Sequence, residues 1–159
     1  MTVGYEAQLF AQVVDTLRAA GPAMSIPVDP ARVFQANVPD MNAQNPTLAV
    51  RFPQGPYDTG SWAASSNKRN AIFIVEVGVI ANLSSDGSHP YGDATHPGIL
   101  TLTADVKNAL ENDFNTFRAA CPQMVDYQLT TTFYVSEDVS IASATITINF
   151  AVRFPMGGR

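Results

Sequence analysis

Four side chains able to bind a metal or move a proton fall in one irregular segment, Ser84 to Gly98 (SSDGSHPYGDATHPG): Asp86, His89, Asp93 and His96. Carboxylates and imidazoles are zinc ligands and common general acids and bases. Their spacing does not set a geometry in advance. A helical His pair four residues apart puts both rings on one side, whereas His89 and His96 are seven apart among glycines and prolines. Each also precedes a proline directly, as ordinary turn residues do. We read them as turn residues, and expect no metal, no cofactor and no catalytic residue.

The other common chemistries lack their motif. No serine stands in G-x-S-x-G, and neither G-x-x-x-x-G-K-[ST] nor G-x-G-x-x-G occurs. Cys121 is the only cysteine, so an intrachain disulfide and a multi-cysteine metal site are excluded, as suits a reducing compartment. It falls at the C-terminal end of a helical pattern, where the dipole disfavours a thiolate, and reads as a structural residue.

Tryptophan is the remaining residue type with a strong functional use. Trp62 lies near Tyr57 in Pro53 to Asn70 (PQGPYDTGSWAASSNKRN), which is rich in turn formers and has no periodicity, so a long loop is expected over 53–70 and a second over 84–98. An aromatic on such a loop either anchors in a partner's pocket or folds back over its own core, and both readings stand. Lys68 and Arg69, with Arg51, are the nearest approach to a basic cluster. Tyr57, Trp62 and Arg69 are the candidate residues for a subunit or partner interface.

The elements that would position these residues follow from periodicity. Tyr5 to Ala20 is an amphipathic helix with Leu9, Val13 and Leu17 stepping by four, widened by Phe10 and Val14 and stopped by Gly21-Pro22. Short strands are expected at Val33–Asn37 and Leu48–Phe52. Ala71 to Ala81 (AIFIVEVGVIA) is apolar on both faces, as in a central strand. A second helix is expected from an N-cap at Thr103, with Asp105 in its first turn and a stripe of Val106, Leu110, Phe114 and Phe117 ending at Cys121-Pro122. Phe114 and Phe117 are read as core.

Tyr127–Val135 and a strand up to Phe154 then form a closing hairpin. In the last strand Ile146, Ile148, Phe150 and Val152 alternate with polar or small residues, and this strand is the expected partner of the central one. Its apolar residues are odd-numbered at Val139 and Ile141 and even-numbered from Ile146, which predicts a bulge or bend within Ala142, Ser143 and Ala144. The expectation is one α+β domain over 1–159: a mainly antiparallel sheet of about five strands with two helices on one face.

The chain carries 9 Lys and Arg against 14 Asp and Glu, a net charge of −5, which excludes a surface that gains affinity by neutralising phosphates. Charged residues make up 14% of the chain, against roughly 25% in ordinary soluble domains. So little charge points either to burial by other subunits or to a surface of Ser, Thr, Asn and Gln. No basic stretch precedes an apolar run at the start, and Glu76 interrupts the longest apolar stretch, so neither a signal peptide nor a membrane span is expected.

The order of segments, with an opening helix, the central IFIVEVGVIANL, HPGILTLTADVKNALENDF leading into a helix, and YQLTTTFYVSEDVSIASATITINFAVRF closing the chain, resembles the tail terminator and neck proteins of long-tailed bacteriophages. The resemblance covers most of the chain and contains no diagnostic motif. It implies a structural virion protein without catalytic residues: a ring, usually a hexamer, that caps the tail tube and meets the head-completion proteins, with DNA passing through the lumen without specific binding. It implies a place in the virion tail or neck, after assembly in the host cytoplasm. Two alternatives stay open: another neck or stopper protein of the same virion, and a small host enzyme or ligand-binding domain using the His89 and His96 loop.

Overall fold

The structure is a computed structural model and describes residues 4–35, 46–53, 61–64, 68–81, 95, 98–135 and 142–155. Helix α1 spans Tyr5–Ala20, the predicted range, and buries Leu9, Val13, Val14 and Leu17 completely. It ends at Gly21 because the chain turns back tightly there: the Val28 N–H donates to the Gly21 carbonyl at 2.9 Å, and a Cβ on Gly21 would come within 2.6 Å of the Val28 carbonyl oxygen.

Six strands follow the α+β expectation, one more than predicted. They are β1 (Val33–Phe34), β2 (Thr47–Arg51), β3 (Ser61–Ala64), β4 (Lys68–Ala81), β5 (Met124–Val135) and β6 (Ala142–Pro155). The sheet order is β1-β2-β4-β6-β5, with β3 also paired to β4. All pairings are antiparallel except β1 with β2. β4 is central, as its two apolar faces require, and β6 pairs with it from Lys68↔Pro155 to Ala81↔Ala142.

Three sequence expectations are corrected. The segment 53–70 is not loop throughout, since β3 and the start of β4 form a hairpin inside it. Ser61–Ala64 pairs through its backbone, and SWAA offers no alternation to read. No bulge occurs at Ala142, Ser143 and Ala144, which pair in unbroken register with Ala81, Ile80 and Val79. Val139 and Ile141, whose parity suggested it, lie outside the described residues; a register irregularity is found instead in β5, between Met124 and Asp126. The single predicted second helix is two, α2 (Ile99–Glu111) and α3 (Phe114–Ala120). Gly98, not Thr103, holds the N-cap position, and Thr103 is buried inside α2.

The break between α2 and α3 is held by a tertiary contact. Asp113 Oδ2 accepts a 2.6 Å hydrogen bond from the Thr16 hydroxyl of α1, which also accepts from Gln12 Nε2 at 3.2 Å. Asp105 has a similar role: instead of serving its own helix, its carboxylate accepts from the Ser25 N–H at 2.8 Å.

All three helices contribute to one core with the same sheet face. Phe73, Val75, Val77 and Val79 of β4 and Ile146, Ile148, Phe150 and Val152 of β6 are buried there. Side chains of these types each contribute about 1.5–3 kcal/mol when removed from water. Phe73 stacks on Phe150 at a centroid distance of 6.3 Å, and Phe117 and Tyr127 each close on Phe150 at 5.6 Å. The Tyr127 hydroxyl donates to the Leu110 carbonyl, satisfying an acceptor in the last turn of α2.

Candidate functional site

Strand alternation sends every second residue of β4, β5 and β6 away from the helices. On that side lie Ile72, Ile74 and Glu76 of β4, Thr147, Asn149 and Ala151 of β6, and Gln128, Thr130, Thr132 and Tyr134 of β5. Each of these is exposed or half-exposed. Ile72 is 41% exposed and Tyr134 55%.

The charge on this face is held close. Arg51 of β2 stands directly opposite Glu76, and its Nε lies 3.4 Å from Glu76 Oε2. Its guanidinium then crosses β4 to reach the Thr145 hydroxyl of β6 at 3.3 Å. It passes over Gly78, where a Cβ would stand 2.7 Å from Nη1. The glycine gives the close approach that a side chain would block. Farther along, Arg153 Nε donates to Asn70 Oδ1 at 2.9 Å.

At the β5 side of the sheet a groove of about 240 Å³ runs between α2 and β5, lined by Leu100, Thr103, Lys107, Glu111, Thr131 and Phe133 among others. At the opposite side a cleft of about 520 Å³ is lined by Pro22, Pro27, Pro30 and Pro46 with Val28, Asp29 and Arg32. Its polar groups already hold the fold together: Asp29 Oδ1 accepts from the Ala31 N–H at 2.8 Å, and Arg32 donates to the Thr47 hydroxyl at 2.5 Å. Neither concavity brings a nucleophile beside a base.

Cys121 is buried, and burial pushes its thiol up from the ordinary value, so it is held as the neutral thiol. It packs within the core, with Sγ 3.7 Å from Gln123 Oε1. Tyr127 is pushed up to about 12, first by burial and then by Asp113, Glu111 and Asp126. Both shifts disfavour the ionised, reactive form. Among the described residues, no three His, Cys, Asp or Glu side chains come together to hold a metal ion, and no helix is long and apolar enough to cross a membrane. Asp86, His89, Asp93 and His96 lie outside the described residues.

Of the predicted interface residues, Trp62 is in β3 opposite Asn70, and Arg69 is in β4 between Ala63 and Phe154. The β3–β4 hairpin therefore brings their backbones together at one end of the sheet. Tyr57 lies outside the described residues. Phe114 and Phe117 pack as expected, Phe117 fully buried and Phe114 stacked on Tyr127 at 5.7 Å. The groove between α2 and β5 was missed from sequence. Its signal was the HPGIL segment, whose Gly98 caps a helix that starts four residues before Thr103.

The chain matches no protein-family model, and no curated protein matches it. Among solved structures it is similar to a chain of the virion of a native gene transfer agent (GTA) particle. The identity is 15% and the TM-score 0.49, over 96% of this chain and 100% of that one.

Proposed function

We propose that this protein is a structural virion subunit, a tail terminator that assembles as a ring, with six copies expected, on the end of a phage-type tail tube. The observation that carries the proposal is the sheet face opposite the helices. The helices leave it open over Ile72 to Glu76, Gln128 to Tyr134 and Thr147 to Ala151, and much of its charge is engaged in the Arg51–Glu76 pair and the Arg153–Asn70 bond. Such a face offers hydroxyls, amides, Ile72 and Tyr134 to another protein, and it is poor in charge, as the centre of an interface is. The chain order that resembles the terminator and neck proteins is also the order of the fold, from α1 through β4 to the β5–β6 hairpin.

In this reading the neighbours are further copies of the chain, the tail tube protein and the head-completion proteins. The hairpin bearing Trp62 and Arg69 supplies one contact. The acidic balance of the chain lets DNA pass through the lumen without being held, since bound phosphates need clustered basic partners. Cryo-microscopy of the particle is the test. Density for this fold as a ring at the head-proximal end of the tail is expected; density elsewhere in the neck would replace the terminator assignment, and absence from the particle would end it.

A further inference from the structure

The sheet ends at β5, whose outer edge pairs with no other described strand. Natural edge strands are usually blunted by charge, proline or a bulge. The irregularity in β5 is confined to its start, and the nine residues Tyr127 to Val135 (YQLTTTFYV) contain neither charge nor proline. Of the six large hydrophobic residues exposed among the described residues, three lie at this end of the edge: Phe133 and Tyr134 on the strand, and Leu100 on α2. Phe133 and Leu100 share the groove between α2 and β5. In the wall of that groove the hydroxyls of Thr103 and Thr131 are buried and have no hydrogen-bond partner among the described residues. Buried hydroxyls in native proteins are nearly always bonded, to protein or to water, so these two leave polar groups still to be met beside the groove.

We infer that the β5 edge and this groove receive a strand from a second copy of the chain, which continues the sheet across the subunit boundary. The inference rests on the ring reading and names the surface through which it closes. Charge selects the occupant. A chain of net charge −5 repels its copies wherever carboxylates meet; those near β5, Asp113, Glu111 and Asp126, stand about Tyr127 at its start, Thr130 to Val135 hold none, and the groove carries Lys107 beside Glu111. A strongly charged partner finds little here to pair with. An added strand would bond the outer N–H and C=O groups of β5 and cover Phe133 on one face and Tyr134 on the other.

Phe133→Lys and Leu100→Lys each place a charge on a side chain that is about half exposed, so both variants should fold; Ala11→Lys, on the outer side of α1, is the control. Mass by light scattering and native mass spectrometry is read beside amide exchange along β5 and thermal unfolding. The wild type and the control are expected to assemble with the β5 amides protected. Each edge variant is expected to lose at least about tenfold in assembly affinity, which is about 1.4 kcal/mol, with unfolding of the subunit little changed. Assembly that persists in both edge variants would overturn the inference and leave the ring reading intact. A two-fold dimer that the edge variants dissociate would uphold the inference and remove the ring. A wild type that stays monomeric would overturn both.

Discussion

The two faces of the sheet are written in the same strands and end in opposite situations. On β4 and β6 one parity gives Phe73, Val75, Val77, Ile146, Ile148 and Phe150, all closed over by helices; the other gives Ile72, Ile74, Glu76, Thr147, Asn149 and Ala151, none of them fully buried, before Gly78, Ile80 and Thr145 at one end are buried again. The first face stabilises the subunit. The second does little for it, because removing water from Thr and Asn without new hydrogen bonds gains nothing. In the proposed assembly, contacts between copies fall to the open part of that second face. Changes on the two sides should separate into effects on unfolding and effects on assembly.

The largest effect is expected from Phe150→Ala. Phe150 is fully buried and touches Phe73, Phe117 and Tyr127, so its removal empties the centre of the aromatic cluster. Denaturant unfolding should show a loss of about 3–5 kcal/mol. A loss near that of a surface change would mean that the helix-covered face is not the stabilising one.

The second prediction tests a place where the open face does contribute to folding. Arg51→Met leaves the Glu76 carboxylate, only 19% exposed, without its ion partner, and removes the link to Thr145. A cost of about 1–2 kcal/mol is expected. Adding Glu76→Gln should recover part of it, because the stranded charge is then gone. If the double variant is as unstable as the sum of the singles, the two residues act independently and the pair is incidental.

The same contrast explains what could be read from the chain. Period-2 alternation in Ala71–Ala81 and Thr145–Phe154, and the four-residue step of Leu9, Val13 and Leu17, are local consequences of burial, and these elements and their pairing were legible. The α2–α3 break was not: the apolar stripe runs through it, and the contact that holds it joins Asp113 to Thr16, 97 positions away in the chain. β3 has too few side chains of any pattern. The candidate site was the least legible part. Leu100 fell before the expected helix start, so nothing in sequence joined it to Phe133, and the Arg51–Glu76–Gly78 arrangement needs the β2–β4 register to exist. Periodicity reports what is buried inside a chain and is silent about surfaces that wait for another one.

Tyr127 sharpens the comparison from the helix side. Its folded value is raised from 10 to about 12, so the protonated phenol is favoured by the fold. The sign follows: this contribution is fully present below pH 10 and is lost as the pH rises from 10 towards 12. Tyr127→Phe should cost about 1 kcal/mol at neutral pH by removing the bond to the Leu110 carbonyl. It should also flatten the alkaline loss of stability in that window, as followed by denaturant midpoints against pH. An unchanged alkaline slope would assign the loss to other groups.

The smallest effect on folding is expected at Thr147, and it decides most about the open face. Thr147 stands between Glu76 and Thr130, half-exposed, on the side away from the helices. In the isolated subunit Thr147→Ala removes a methyl and a hydroxyl that water already reaches, so unfolding should shift by less than about 0.5 kcal/mol. If copies cover this face as proposed, the same residue would be desolvated, and loss of its hydroxyl would leave a partner group unsatisfied. Mass measured across a dilution series should then show weaker assembly without weaker folding. Equal and small effects on both would mean that the face remains in solvent and that contacts between copies run through the β5 edge alone.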